Sequence, residues 1–243
     1  VPGSLSAACR LVRATALALR GWYTIRFEFP GLTPLEREER VQAWAGRMLQ
    51  ALGVRLRLRG APAAGPVLLV ANHISWLDIL VLHAARHCRF VSKGEVRHWP
   101  LIGTLATGAG TLYIERESRR DAMRVVHHMA ESLRAGEVLA VFPEGTTSDG
   151  RQLLPFHANL IQAAISAEAP VQPVALSFVD VATGQPSFSP CYIGDDSLVG
   201  SVWRTLTGPP IAAVVSFGSP QVAAGRTRRA WADELRGAVE QLR

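Results

Sequence analysis

The residues best placed to do chemistry lie in one short stretch, Asn72-His73-Ile74-Ser75-Trp76-Leu77-Asp78. A histidine ring oriented by a carboxylate is a general-base arrangement, because the acid fixes the tautomer and stabilises the imidazolium. The spacing alone does not guarantee contact. On one continuous helix, residues five apart point about 140° away from each other. Here an apolar run, Val67 to Ala71, precedes the stretch and reads as a buried strand, while Ile79 to Leu82 continue as a helix. His73 then falls at a strand end and Asp78 in the first helical turn, and the break between them can bring carboxylate and imidazole together. A second reading stays open. Ser75-Trp76-Leu77-Asp78 fits a capping pattern, with Ser75 as N-cap and Asp78 as its partner three residues on.

Two other strand ends carry polar residues of the right kind. Arg89 to Ser92 reads as a strand ending at Lys93, and Thr111 to Ile114 as one delivering Glu115 and Arg116. Val138 to Phe142 is a wholly apolar strand stopped by Pro143-Glu144-Gly145-Thr146-Thr147-Ser148. In open α/β sheets ligands collect outside the carboxyl ends of strands. A base with two cations nearby, Lys93 and Arg116, implies an alcohol deprotonated beside a bound anion. A Ser75 nucleophile is disfavoured, since no Gly-x-Ser-x-Gly elbow occurs.

The elements that must position these residues alternate along the chain. Leu5 to Tyr23 reads as a helix with Leu5, Ala8, Val12, Ala16, Leu19 and Tyr23 on one side. Arg10, Arg13 and Arg20 flank that stripe, a pattern that suits an interfacial helix or one covering the protein's own core. A second helix opens with Thr33, Pro34 and Glu36, buries Val41, Trp44, Ala45, Met48, Leu49 and Leu52, and ends at Gly53. Val54, Leu56 and Leu58 alternate with arginines as a half-exposed strand. Later helices are expected near 99–110, at 118–134 with Ser118 as cap, at 158–167 and from 226 onward. Val171 to Phe178 is a strand whose Pro173 suggests an edge or a bulge. Residues 181–200 read as loop, and Ile211 to Phe217 as a further strand. Together these give an α/β fold: a single domain with a mixed, largely parallel sheet flanked by helices, after an N-terminal amphipathic helix pair. Residues 1–52 form the expected membrane-association segment and residues 53–243 the α/β domain.

Charge and composition narrow the partners. Residues 1–60 hold ten arginines against four glutamates, an excess equal to the +6 of the whole chain of 243 residues. A basic end on a neutral body suggests an anionic surface. Nucleic acid is disfavoured, because no aromatics interleave with these arginines and no reader motif appears. Three dispersed cysteines, Cys9, Cys88 and Cys191, have neither metal spacing nor the look of a disulfide framework. No stretch reaches the roughly 18 unbroken apolar residues of a spanning helix.

The motifs in order resemble the lysophospholipid and glycerolipid acyltransferases, of the 1-acyl-glycerol-3-phosphate acyltransferase type. His73 and Asp78 match the His-x4-Asp motif, and Gly110 to Arg116 the second motif. Phe142-Pro143-Glu144-Gly145-Thr146 matches the third, and Val171-Gln172-Pro173-Val174 the fourth. The resemblance implies acyl transfer from a thioester, acyl-CoA or acyl carrier protein, to a lyso-lipid hydroxyl, without metal, cofactor or acyl-enzyme. It implies His73 as base and Asp78 as its orienting acid. Lys93, Arg116, Glu144, Gly145 and Thr146 would hold the acceptor's polar head. It implies peripheral membrane association, at the cytoplasmic face of the inner membrane. One departure bears on the acceptor: many relatives have arginine where this chain has Thr147. Lysophosphatidic acid is the expected acceptor on the strength of the two cations. Lyso-ornithine lipid, another lysophospholipid, and a non-catalytic membrane-binding module are the alternatives.

Overall fold

The computed structural model describes residues 4–114 and 119–243. Seven strands form one sheet: β1 (Arg55–Arg59), β2 (Val67–Ala71), β3 (Arg89–Lys93), β4 (Leu112–Ile114), β5 (Val138–Val141), β6 (Val171–Asp180) and β7 (Ile211–Phe217). Their order is β1-β7-β6-β2-β5-β3-β4, and every neighbouring pair is parallel except β6–β7. The helices are α1 (Ser4–Tyr23), α2 (Pro34–Leu52), α3 (Leu77–Ala85), α4 (Ile102–Gly108), α5 (Arg119–Arg134), α6 (Gln162–Ala167), α7 (Leu198–Thr207) and α8 (Arg228–Leu242).

Strand periodicity divides the core in two. Val67, Leu69 and Ala71 of β2 face a cluster shared with α2 and α3, where Met48, Leu49, Leu77 and Leu82 are buried. Leu68 and Val70 face the opposite cluster, with Met129 and Leu133 of α5 and Trp231 and Leu235 of α8. Helices therefore cover both faces of the sheet, as a largely parallel sheet requires. The expected mixed α/β fold is the one observed.

The N-terminal pair forms largely as its sequence signals direct. Thr33 and Glu36 close a capping box on α2, and Gly53 ends it in the left-handed region at φ 78°. Trp44 is half-buried against the core, and its indole nitrogen donates to the carbonyl of Leu17 at 2.9 Å. Helix α1 packs through small residues seven apart, Ala7, Ala14 and Gly21. A Cβ at Gly21 would lie 2.7 Å from the Trp44 ring. Its other stripe, Leu5, Ala8, Val12, Ala16, Leu19 and Tyr23, is exposed throughout. That stripe does not cover the core; the helix covers it through its other side, with Ala7, Ala14, Leu17 and Ala18.

Two expectations need correction. Pro173 lies in β6, an interior strand, not at an edge. Pro173 pairs with Val70 of β2, and just before the β7 ladder begins at Val174 its carbonyl accepts the Gly218 amide at 2.9 Å. The stretch after β6 is not all loop, since Ser197 caps α7 by accepting from the Gly200 amide. No helix among the described residues is long and apolar enough to cross a membrane.

Candidate active site

His73 lies two residues beyond Ala71, the last residue of β2, and Phe142 and Pro143 follow β5, the next strand in the sheet. The strand-to-helix break after β2 does what the spacing requires. Asp78 sits in the first turn of α3, fully buried, and its Oδ2 lies 2.8 Å from His73 Nδ1. The same oxygen accepts the backbone amides of Ile74 at 2.7 Å and Ser75 at 2.9 Å. The two readings of Asp78 are thus one geometry, in which the carboxylate both anchors the start of α3 and holds the imidazole. Ser75 contributes its own turn, its hydroxyl accepting the Leu77 amide at 3.2 Å. Its hydroxyl is committed to that turn, as a structural residue's would be.

Every other part of His73 is also held. Its N–H donates to Glu144 Oε1 at 2.7 Å. Its carbonyl accepts the Ser148 amide at 2.9 Å and the Ser148 hydroxyl at 3.3 Å. Its ring stacks on Phe142, with centroids 3.9 Å apart and planes within 7°. Phe142 in turn stacks on Phe90 of β3 at 5.7 Å. With Nδ1 donating to the carboxylate, Nε2 is the atom left to accept a proton, and the side chain keeps 19% exposure through which a substrate can reach it.

Glu144 is engaged with the backbone around His73. It is buried, and its second oxygen accepts the Leu154 amide at 3.0 Å. Both oxygens therefore brace backbone, one of them at His73 itself. Burial pushes its pKa up, opposed by these two amide bonds. Gly145 follows at φ 71°, a conformation that favours glycine, and a Cβ there would meet the His157 ring at 3.2 Å. Thr146 is exposed beside it. Lys93 is exposed at the end of β3, two strands from β2, beyond the last residue that β3 pairs with β5. Arg116, like Glu115 and Ser118, lies outside the described residues.

Sequence reasoning missed three contributors. Phe142 was legible as a strand end and as the first residue of the third motif, but its stacking on His73 was not. Asn72 is fully committed across the sheet, donating to the Leu176 carbonyl at 2.9 Å and accepting the Leu176 amide at 2.7 Å. This pins the exit of β2 to β6. The segment before α7 also folds over the site: the Tyr192 amide donates to the Ile74 carbonyl at 3.1 Å, and the Thr147 hydroxyl donates to the Tyr192 carbonyl. Arg204 of α7 fastens that segment through Asp196 at 2.8 Å and the Ser189 carbonyl at 3.0 Å.

Comparisons with known proteins identify the family. A family model described as Acyltransferase matches residues 54–177, the span from β1 to β6 that carries all of the motifs. A lyso-ornithine lipid O-acyltransferase of Pseudomonas aeruginosa is 39% identical over 228 residues, 93% of this chain and 87% of that protein. A 1-acyl-sn-glycerol-3-phosphate acyltransferase of Neisseria gonorrhoeae is 37% identical over 211 residues, 86% of this chain and 81% of that protein. The crystal structure of the 1-acyl-sn-glycerophosphate (LPA) acyltransferase PlsC from Thermotoga maritima has the same fold, with a TM-score of 0.63 at 20% identity. It covers 96% of this chain and 97% of that one. The chain belongs to the acyltransferase family.

Proposed function

We propose that the chain moves a fatty acyl group from a thioester, acyl-CoA or acyl carrier protein, to the free hydroxyl of a lyso-lipid. The acceptor hydroxyl loses its proton to His73 Nε2 as its oxygen attacks the thioester carbonyl. The tetrahedral intermediate then expels the thiolate, which takes the proton from the imidazolium, so the base is regenerated. Asp78 holds Nδ1 and offsets the positive charge that develops on the ring. The reaction so written uses no metal and no acyl-enzyme. The observation that carries this reading is Asp78 Oδ2, shared between the ring at 2.8 Å and two backbone amides. A carboxylate fixed to the backbone in this way holds the base in one orientation.

Two acceptors follow from the relatives, and the residue at position 147 supports a choice between them. The lysophosphatidic acid reading rests on Lys93 and Arg116 as phosphate partners. Thr147, where the resemblance expects arginine, turns its hydroxyl onto the Tyr192 carbonyl, so this position supplies no cation. A phosphate monoester carries nearly two charges and favours several cationic donors. We therefore place lyso-ornithine lipid first and lysophosphatidic acid second. Residues 1–52 serve as the membrane-association segment of this reading and residues 53–243 as the catalytic domain, working at the cytoplasmic face of the inner membrane. The exposed apolar stripe of α1, flanked by arginines, supports that placement.

The test is to incubate purified protein with acyl-CoA or acyl carrier protein thioesters and both lyso-lipids, and to follow thiol release and acylated product. Wild type should acylate lyso-ornithine lipid with the higher kcat/KM. His73→Ala should lose about 10²–10⁴ in turnover. A preference for lysophosphatidic acid would reverse the order of acceptors, and full activity of His73→Ala would remove the base.

A further inference from the structure

Helix α7 has a face that neither the core nor the catalytic site uses. It buries Ser201, Thr205 and Leu206 inward. Val199 and Trp203, four residues apart and so on one face, are 79% and 45% exposed. The inward side of the helix reaches the catalytic loop: Trp76, two residues before Asp78, donates from its indole nitrogen to Ser201 Oγ at 3.1 Å. On its flank α7 packs against α1. An apolar surface with a tryptophan, beside an exposed apolar helix and next to the catalytic motif, requires an occupant.

We propose that α7 is a second membrane contact, its Val199 and Trp203 entering an anionic lipid surface alongside α1 and setting the mouth of the site against the bilayer. This deepens, and rests on, the membrane reading of residues 1–52. One helix lying in an interface fixes depth but leaves the protein free to roll about that helix's axis. Helix α1 packs along its inward side on α2, α4 and α7, and its exposed stripe gives the bilayer a single line of contact, which does not by itself set the roll. A second apolar contact off that axis does. The substrates' acyl chains lie in the bilayer, and the base must meet a hydroxyl at the head-group boundary, so roll decides whether His73 faces lipid or water. Charge identifies the occupant as lipid and not a second copy of the chain. Arg13, Arg20 and Arg26 are exposed on α1 and the turn after it. They would oppose their own copies across a dimer but complement anionic head groups. Trp22, Tyr23 and Trp203 are the side chains that favour this boundary.

The test uses the full chain and vesicles of phosphatidylcholine, with and without phosphatidylglycerol. Val199→Ser/Trp203→Ser, which alters only exposed side chains, should lower the partition coefficient about tenfold with α1 intact, given the apolar area withdrawn. In a Trp22→Phe/Trp99→Phe background, Trp203 emission should be quenched by lipids brominated on the acyl chain, a signal lost in the Trp203→Phe control. Equal partition of wild type and the double variant, or no quenching of Trp203, overturns the proposal while leaving α1 as the anchor. Failure of the wild type itself to bind anionic vesicles overturns the membrane reading, and this proposal with it. A lipid-free doubling of mass that Trp203→Ser abolishes makes the face a dimer contact and overturns it likewise.

Discussion

Replacing Asp78 by asparagine separates the two tasks that one oxygen performs. Asparagine is isosteric, and its amide oxygen can occupy the Oδ2 position, keeping the contacts to Ile74, Ser75 and the His73 ring now at 2.7, 2.9 and 2.8 Å. Each falls from a charge-assisted bond, about 1.5–3 kcal/mol, to a neutral one of about 0.5–1.5 kcal/mol. The two backbone bonds thus lose about 2 kcal/mol of stability between them. The amide nitrogen would occupy the Oδ1 position, which is buried and has no hydrogen-bond partner. An unmet donor there costs a further ~1–3 kcal/mol, partly offset by removing a buried charge. A net loss of about 2 kcal/mol should appear in denaturant unfolding. Catalysis should suffer far more, because a neutral partner no longer stabilises the imidazolium. Turnover should fall about 10²–10⁴ with KM for the acceptor little changed. Ser75→Ala is the comparator, since it removes a contact to the Leu77 amide in the same turn and should cost about 1 kcal/mol without touching the ring. The two measurements are thiol release at saturating acyl donor and urea unfolding of each protein. An Asp78→Asn protein that behaves like Ser75→Ala, less stable but fully active, would refute the dyad.

Glu144→Gln should lower stability by ~1–3 kcal/mol and reduce kcat with little change in acceptor KM, because its oxygens brace the His73 and Leu154 amides. A large KM effect with normal kcat would return it to a head-group role. Burial pushes His83 down to about 3, and burial with the neighbouring Arg89 and Arg86 pushes His87 down to about 4. Both stay neutral in the fold while the unfolded chain takes up protons below pH 6.5, so stability is present above that pH and is lost as pH falls toward 4. Each contributes about 2 kcal/mol of loss at pH 5, and His83→Leu should remove its share in unfolding measured at pH 7 and pH 5. Thr147→Arg should raise kcat/KM for lysophosphatidic acid about tenfold relative to lyso-ornithine lipid, the worth of one charge-assisted bond; an unchanged ratio of the two would place the head group elsewhere.

What the sequence made legible was local. The apolar run Val67 to Ala71 could only be a buried strand, and Thr33, Glu36 and Gly53 set the ends of α2 through contacts within four residues. His73 and Asp78 were readable because the break between strand and helix lies inside their own stretch. The role of Glu144 was not, because its partner is 71 residues away and depends on β5 lying beside β2. The Phe142 stack depends on the same adjacency. Helix α7 was hidden by Gly200 and by its branched residues Val199, Val202, Thr205 and Thr207, although Ser197 before Leu198, Val202 and Leu206 was a usable signal. For α1 the periodicity was right, but an apolar stripe cannot declare whether it faces core or lipid. Only the competing stripe of Ala7, Ala14 and Gly21, small enough to let helices approach closely, shows which side is inward.

The constraints on His73 explain why its motif is built across a strand end. Its amide is taken by Glu144 after β5, its carbonyl by Ser148, its Nδ1 by Asp78 on α3 and its ring face by Phe142. Three of these four anchors come from the exit of β5, the strand beside β2, and the fourth from α3. The longest side chain among them, Glu144, is itself held at both oxygens, and two of the three polar anchors end directly on the backbone of His73. A base held this way meets a substrate without first losing the entropy of ordering, and small displacements of a catalytic group can cost about 10²-fold in rate. Asn72 extends the same logic by tying the exit of β2 to β6 on its other side. The edge of the ring carrying Nε2 is what the anchors leave open, so the fold selects which nitrogen acts before any substrate arrives.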